Sequence, residues 1–346
     1  MPLKVGLLVD SPTAGGGESY LLRLYSRLAM DGRVQVDLIG NLPGWTADIG
    51  PHIPLPTVDK LTAQRSPVVQ MLPALSASGR MLRAARLADV DIFHIQYFRE
   101  KLFLPRLLGS RPILWTEHGP LPSAMRGVPL AILRAQARRC SVVSVSTAVA
   151  RSLWDRGIRS QVVPNPLPDL PPGLSRAQSS GAILYIGRLE EKKRLSLLLE
   201  AARLDRNLKV AIAGTGPQEA ALRHEAPANV EFLGFREDSL SLISRAAAVV
   251  LPSGRDAREG SPMAMLEGRS LGVPVMVASD SHAAAEAESL GCFIFEPTPA
   301  SLIHAARGCA GFTIPLQGNV RCERGVERWA DTTFELMESI ADGPAS

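Results

Sequence analysis

No apolar run in this chain reaches the roughly 18 residues needed to cross a bilayer; Val5 to Val9 and Ala247 to Leu251 are typical of its short hydrophobic stretches. Aromatic residues make up only 5% and no nucleic-acid recognition motif is present, which argues against a nucleic-acid partner. Cys140, Cys292, Cys309 and Cys322 stand far apart with no C-x-x-C pair. They read as thiols of a reducing compartment, and their spacing gives no metal site. Neither G-x-G-x-x-G nor G-x-x-x-x-G-K-[S/T] occurs, so the dinucleotide fingerprint and the P-loop are both missing. No basic leader or cleavage site precedes Met1-Pro-Leu-Lys-Val5, which enters a strand directly, and the expectation is a cytoplasmic protein.

What is present is an ordinary globular composition, 46% hydrophobic and 21% charged, in 346 residues, a length comfortable for two domains. The net charge of +4 is unevenly divided. Residues 1–170 carry 20 Lys/Arg against 12 Asp/Glu, a net +8, and residues 171–346 carry 18 against 22, a net −4. A basic first half suits an anionic acceptor or peripheral contact with the anionic inner face of a cell membrane; a general bias toward surface arginine explains it equally.

Short apolar strands alternate with helical periodicities: Lys4–Asp10, helix Glu18–Ala29, Val34–Ile39, helix Ala74–Leu87, Asp91–Gln96, Pro112–Thr116, helix Pro129–Arg139, Ser141–Ser146. The alternation implies an α/β parallel sheet covered on both faces. Pro164-Asn-Pro-Leu-Pro-Asp-Leu-Pro-Pro172 then interrupts, and the pattern restarts at Gly181–Ile186. The predicted division is an N-terminal Rossmann-like domain over 1–165, a Pro-rich linker over 166–180 and a second Rossmann-like domain over 181–325. A C-terminal helix over 326–346 is predicted to pack back on the first domain.

Candidate chemistry falls at predicted strand ends, where ligands of open α/β sheets bind. Gly15-Gly16-Gly17-Glu18 follows the first strand and opens a helix; it suits close approach of a phosphate or simply a tight turn. Gly187 and Arg188, with Lys193 five residues on, straddle a strand-to-helix turn. The two cations fit a diphosphate or a solvated basic turn. Gly214-Thr-Gly216-Pro217 and Gly234-Phe235-Arg236 end two further strands. His118 follows another, and is as readily structural as functional; His94, inside a strand, reads as a core residue. Asp89-Val-Asp91 imitates a D-x-D metal motif, but a strand-entry turn explains it. The densest segment is Glu259-Gly260-Ser261-Pro262-Met263-Ala-Met-Leu-Glu267, with Gly272-Val-Pro274-Val after it. Ser261 is predicted as N-cap, Pro262 as first helical residue and Gly272 as helix terminator. Glu267 falls on the apolar stripe of Met263, so it needs hydrogen-bond donors, a role sugar hydroxyls would fill.

In this order and at these separations the segments resemble the family 4 glycosyltransferases, which have the GT-B fold: two Rossmann-like domains facing across a cleft. The resemblance covers most of the chain. It implies retaining, metal-independent transfer of a sugar from a nucleotide-diphosphate sugar to a carbohydrate, lipid-linked or small-molecule acceptor, with no bound cofactor. It implies that Arg188 and Lys193 bind the diphosphate. Glu259 would contact the donor sugar and Glu267 the ribose, with Gly260 to Met263 lining the same segment. Gly234, Phe235 and Arg236 would meet the base, with Gly187, Gly214 and Gly216 close by. His118 would reach the sugar, and Gly16 and Gly17 the phosphates and acceptor. A nucleotide-sugar epimerase or a non-catalytic nucleotide-sugar-binding protein are the alternatives. Four departures from the family pattern stand out: the longer, charged loop 253–258, Arg194 in place of the common Gly, Gly268 in place of Ala, and His282-Ala283 in place of Gly-Gly.

Overall fold

The computed structural model describes residues 1–12, 15–57, 67–177, 179, 181–309, 312 and 323–343. The chain divides into two compact units, Met1–Asn165 with Glu327–Ser346, and Pro166–Val326. Each is a Rossmann-like unit with an all-parallel sheet.

In the first unit, strands β1 (Leu3–Asp10), β2 (Val34–Asn41), β3 (His52–Ile53), β4 (Ile92–Ile95), β5 (Ile113–Glu117), β6 (Ser141–Ser144) and β7 (Gln161–Val162) form one sheet. Its order is β3-β2-β1-β4-β5-β6-β7. Helices α1 (Gly16–Met30), α2 (Pro67–Leu87), α3 (Phe98–Phe103), α4 (Gly127–Ala137) and α5 (Thr147–Trp154) connect the strands. Helix α2 begins well before the predicted Ala74. Pro67 takes the first-turn position that proline tolerates, and Pro73 sits inside, forfeiting one backbone bond. Strands β1, β4 and β5 are buried from end to end or nearly so, which is why they read as unbroken apolar runs.

The second unit orders β8 (Ala182–Ile186), β9 (Lys209–Ala213), β10 (Val230–Gly234), β11 (Ala248–Leu251), β12 (Val275–Ala278) and β13 (Phe293–Phe295) as β10-β9-β8-β11-β12-β13. Helices α6 (Leu195–Leu204), α7 (Glu219–Glu225), α8 (Ser239–Arg245), α9 (Met263–Ser270), α10 (Ala284–Ser289) and α11 (Pro299–Cys309) flank it. The period-2 alternation of the strands divides the interior into two cores. Ile183, Tyr185, Val250 and Met276 face α6 and α11, while Leu184, Val249, Leu251, Val275 and Val277 face α9 and α10.

The proline-rich stretch after Asn165 is packed against this second core. Leu167 is buried, and Leu170 and Leu174 lie on the same cluster. Leu167 donates its backbone N–H to Arg324 O at 2.7 Å and forms a parallel bridge with Gly325, and Arg176 binds the carbonyl of Gly272 at 3.0 Å. Beyond it, helix α12 (Val326–Ala341) belongs from Glu327 onward to the first unit. Trp329 meets Tyr20 edge-to-face at 4.9 Å, Arg33 lies 4.1 Å over the Phe334 ring and is paired with Asp331, and Arg27 reaches Glu327 at 3.3 Å.

Among the described residues no helix is long and apolar enough to cross a membrane. Cys140, Cys292 and Cys309 are free, and burial pushes each thiol up to about 12; Cys322 lies outside the described residues.

Candidate active site

In the second unit the strand order reverses between β8 and β11: β8 has β9 on one side and β11 on the other. A sheet of this kind opens a crevice at that switch point, beyond the carboxyl ends of the strands. The loops there carry the candidate residues. After β8, Gly187 and Arg188 lead into a one-turn 3-10 helix, Glu191–Lys193. After β11, the chain runs through a second one-turn 3-10 helix, Arg255–Ala257, to Glu259. Lys193 Nζ donates to Glu259 Oε1, joining the two loops across the switch point. Both side chains are mostly buried, and Glu259 Oε2 is buried with no hydrogen-bond partner. A buried carboxylate oxygen left without a donor is costly, and it marks a place for one.

The β8, β9 and β10 ends are joined by backbone bonds. Gly187 N donates to Ala213 O, Leu189 N to Thr215 O, Gln218 N to Leu189 O, and Gly214 N to Gly234 O, at 2.7 to 3.0 Å. Gly214 is required by this contact: its φ is +133°, and a Cβ would lie 1.9 Å from Gly187 O. A Cβ at Gly216 would lie 2.5 Å from Leu189 O, so this position too has no room for a side chain. Arg188 is about half exposed and pairs with Glu190 at 3.0 Å. Phe235 is 65% exposed at the β10 end, beside Arg236, whose guanidinium is held bidentately by Asp238 at 2.8 and 2.9 Å. Gly187, Arg188, Lys193, Gly214, Gly216, Gly234 and Glu259 are thus brought to one edge of the sheet.

The only non-glycine residues with positive φ among those described flank this assembly. Arg194, at φ 52°, follows Lys193, and Arg258, at φ 56°, precedes Glu259. The left-handed conformation costs an ordinary residue roughly 1–2 kcal/mol, and such residues collect at functional sites. Arg194 stands where the family pattern has Gly, and its backbone shows why glycine suits the position. Its guanidinium bridges to Asp280 at 2.8 Å.

Helix α9 carries Glu267, which is half-buried. Ser261 is not its N-cap, contrary to the sequence expectation: Pro262 caps the helix with extended backbone and no side-chain bond, and Met263 is the first helical residue. The Ser261 hydroxyl instead donates to Glu286 Oε1 at 3.1 Å, a carboxylate also held by Arg324 at 2.6 Å. The predicted stop holds. Gly272 N bonds Arg269 O and Val273 N bonds Gly268 O, the paired bonds of a Schellman turn. Gly268 is a packing residue as well as a weak helix former, since a Cβ there would press 2.7 Å from Val275 Cγ2.

The first unit makes its own cluster around the β1, β4 and β5 ends. Gln96 Nε2 donates to Gly17 O at 3.1 Å, so its oxygen faces His118 Nε2, 2.8 Å away. That orientation makes Nε2 the protonated ring nitrogen and leaves Nδ1 as an acceptor. Tyr20 packs edge-on against the His118 ring at 4.7 Å. Burial, then the nearby charge of Lys101, pushes the His118 pKa down to about 3, so the imidazole is neutral. Gly16 opens α1 and Gly17 contacts the cluster; Thr13 and Ala14 lie outside the described residues. His94 is a satisfied core residue, bonded to Tyr25 Oη at 2.7 Å and Thr116 Oγ1 at 2.8 Å. Asp89 and Asp91 pair with Lys4 at the amino end of β4, away from the ligand edge of the sheet.

Sequence reasoning missed Gln96, Asp280 and Glu286. Gln96 directly follows β4 and Asp280 lies two residues past β12, the same strand-end signal that found His118.

Two parallel Rossmann-like sheets, each with polar residues gathered at the carboxyl ends, give the two-domain architecture of the GT-B class. A model of Glycosyltransferase Family 4 matches residues 14–169, and one of Glycosyl transferases group 1 matches residues 172–306. The chain belongs to the family 4 glycosyltransferases, enzymes of GT-B fold. WcaL of Escherichia coli (strain K12), assigned to colanic acid biosynthesis as a glycosyltransferase, is 34% identical over 108 residues, 27% of each chain; the match thus spans about a quarter of that relative. Two solved structures share the fold over almost the full length of both chains. The Anabaena protein Alr3699/HepE, in complex with UDP and glucose, has 18% identity and TM-score 0.73, covering 97% of this chain and 100% of that one. Sucrose-phosphate synthase from Thermosynechococcus elongatus has 16% identity and TM-score 0.76, covering 99% and 100%.

Proposed function

We propose that this glycosyltransferase moves a sugar from a nucleoside-diphosphate sugar to an acceptor hydroxyl with retention of anomeric configuration and without a metal ion. The observation that carries the reading is the Lys193–Glu259 pair across the switch point, with Arg188 on the same loop and one Glu259 oxygen buried without a donor. Breaking the anomeric C–O bond places positive charge on the sugar and negative charge on the departing phosphate. Arg188 and Lys193 stabilise the phosphate, the role a metal has elsewhere. Glu259 accepts hydrogen bonds from the sugar, and Glu267 from the ribose. Phe235 offers a ring face to the base. His118, neutral, accepts through Nδ1 from a hydroxyl. The acceptor oxygen bonds to C1 on the face the phosphate leaves, and its proton passes to the phosphate oxygen.

The acceptor is a carbohydrate, a lipid-linked glycan or a small molecule, and the basic first half favours one that is anionic or membrane-borne. Arg188→Ala lowers turnover about 10²–10³-fold on this reading. The deciding experiment is NMR of the product's anomeric configuration from a panel of nucleotide sugars, run with and without a chelator. An inverted product, or activity lost to the chelator and restored by a divalent cation, overturns it.

A further inference from the structure

Helices α2, α3, α4 and α5 cover one face of the first unit's sheet, where Met81, Leu108, Leu133 and Leu153 meet in a single core. Helix α3 adjoins both α2 and α4. A crossover helix runs antiparallel to the parallel strands it joins, so these helices begin at the carboxyl edge, where His118 stands. Their outward sides are apolar at that end. Leu72 and Leu75 in the first half of α2, Phe98 at the start of α3, and Val128 and Ile132 in the first half of α4 are exposed, Leu72 by 74% and Val128 by 72%. Helix α4 lacks the polar stripe that a helix on a sheet turns to water. Its exposed residues before Arg134 are Gly127, Val128, Pro129, Ala131 and Ile132. Arg134 is its only charged residue, and Gln136 points inward, to Leu102 O at 2.7 Å and the Arg106 N–H at 2.9 Å.

Cations stand at the other end of the same helices. Arg83 and Arg86 lie at the end of α2, Arg106 follows α3, and Arg134, Arg138 and Arg139 lie at the end of α4, all exposed. Arg86, Arg134 and Arg139 donate to the carbonyls of Leu107, Arg156 and Gly109, and none of the six forms an ion pair among the described residues. Of the acids in residues 67–157, Asp89 and Asp91 are held by Lys4 at the amino end of β4, and Glu100 and Glu117 are buried. Asp155, exposed, follows α5. None lies on the outward side of α2, α3 or α4.

We propose that this face docks on an anionic lipid bilayer, with the first halves of α2 and α4 and the start of α3 in the headgroup boundary and the arginines on lipid phosphates. Exposed apolar groups gathered at one end of three adjoining helices leave water on entering that boundary. Guanidinium groups without carboxylates between them match a surface of one charge sign. Acidic phospholipid supplies such a surface, whereas a protein partner intersperses both signs. So docked, the carboxyl edge with His118 adjoins the headgroups, where a lipid-linked acceptor is presented. That use rests on the acceptor reading above; the docking itself does not.

The test is co-sedimentation of the full chain with vesicles of equal parts phosphatidylglycerol and phosphatidylcholine, and with vesicles of phosphatidylcholine alone. The chain should sediment with the first and stay in solution with the second, and raising salt from about 0.05 to 0.5 M should release it. Binding should fall roughly tenfold or more in Val128→Ser with Ile132→Ser, and likewise in Arg134→Gln with Arg138→Gln, with unchanged melting temperatures confirming the fold. The inference is overturned if the chain ignores anionic vesicles at low salt, binds both vesicles alike, or binds as tightly in both double variants. It is overturned too if light scattering shows a dimer that Val128→Ser with Ile132→Ser dissociates while no vesicle is bound. No nucleotide is present, so failure here leaves the donor reading standing, and an inverted or chelator-sensitive transfer leaves the docking standing.

Discussion

The guanidinium of Arg194 lies against Gly254, so close that a Cβ at 254 would come within 2.2 Å of Arg194 Cζ. The contact joins the loops after β8 and β11, and the Arg194–Asp280 bridge adds the turn after β12.

Gly254→Ala therefore pushes the guanidinium off Asp280. The displaced atoms are the far end of a flexible side chain in a part-exposed ion pair, so the stability cost is small, about 1 kcal/mol or less. Donor affinity falls more visibly, because Lys193 and Glu259 adjoin the disturbed loops. Denaturant titration with donor calorimetry checks this; unchanged affinity would show that loop 253–258 adapts without moving the site. Arg194→Gly sets two opposing terms against each other. It relieves the left-handed backbone, roughly 1–2 kcal/mol, and loses the bridge, so its stability stays within about 1–2 kcal/mol of the parent.

Lys193→Met leaves the largely buried Glu259 carboxylate without its cation. Stability drops by about 1–3 kcal/mol. Adding Glu259→Gln recovers part of that loss and no activity. A double-mutant cycle in urea gives the coupling, and strict additivity would show that the pair is not formed in solution.

Gln96→Leu removes the partner that fixes the His118 tautomer. The expected result is a fall in turnover of roughly tenfold or more with little change in donor binding. Gln96→Glu restores a hydrogen bond but places a negative charge beside the ring, raising the imidazole pKa, which NMR titration reads directly.

His94 and His118 both titrate near pH 3 in the folded chain against an ordinary value of 6.5, through burial first. Below pH 6.5 the unfolded chain takes up protons that the folded chain refuses. The stability these histidines contribute is complete above pH 6.5 and lost as pH falls toward 3, at up to about 1.4 kcal/mol per pH unit for each. Unfolding midpoints should decline steadily from pH 6.5 to 4, and His94→Gln should flatten that decline; an equal slope would place its protonation elsewhere.

Much of this was legible in the sequence because buried parallel strands leave unbroken apolar runs, and Leu195–Leu204 and Val326–Ala341 carry clear helical periodicity. Glycines at strand ends marked the loops that the backbone joins, and Gly272 marked the helix end. The Ser261 cap was misread because its hydroxyl has a distant carboxylate to bind, Glu286, and a tertiary bond displaced the local one. Arg194 is legible in the sequence only as a departure from the common Gly, and Arg258 only as part of a charged loop; that both occupy left-handed backbone is a property of φ, which no residue type but glycine announces. Gln96 is a single amide whose meaning depends on Gly17 arriving from α1 and His118 from the loop after β5.

The parallel bridge between Leu167 and Gly325 places the entry and exit of residues 166–326 side by side. Residues 166–326 are thus an insert whose two ends adjoin, between Asn165 and Glu327 of the first unit. A piece with adjoining ends is suited to exchange as a whole, so on the proposed donor reading one transplant at that seam would carry a new donor preference.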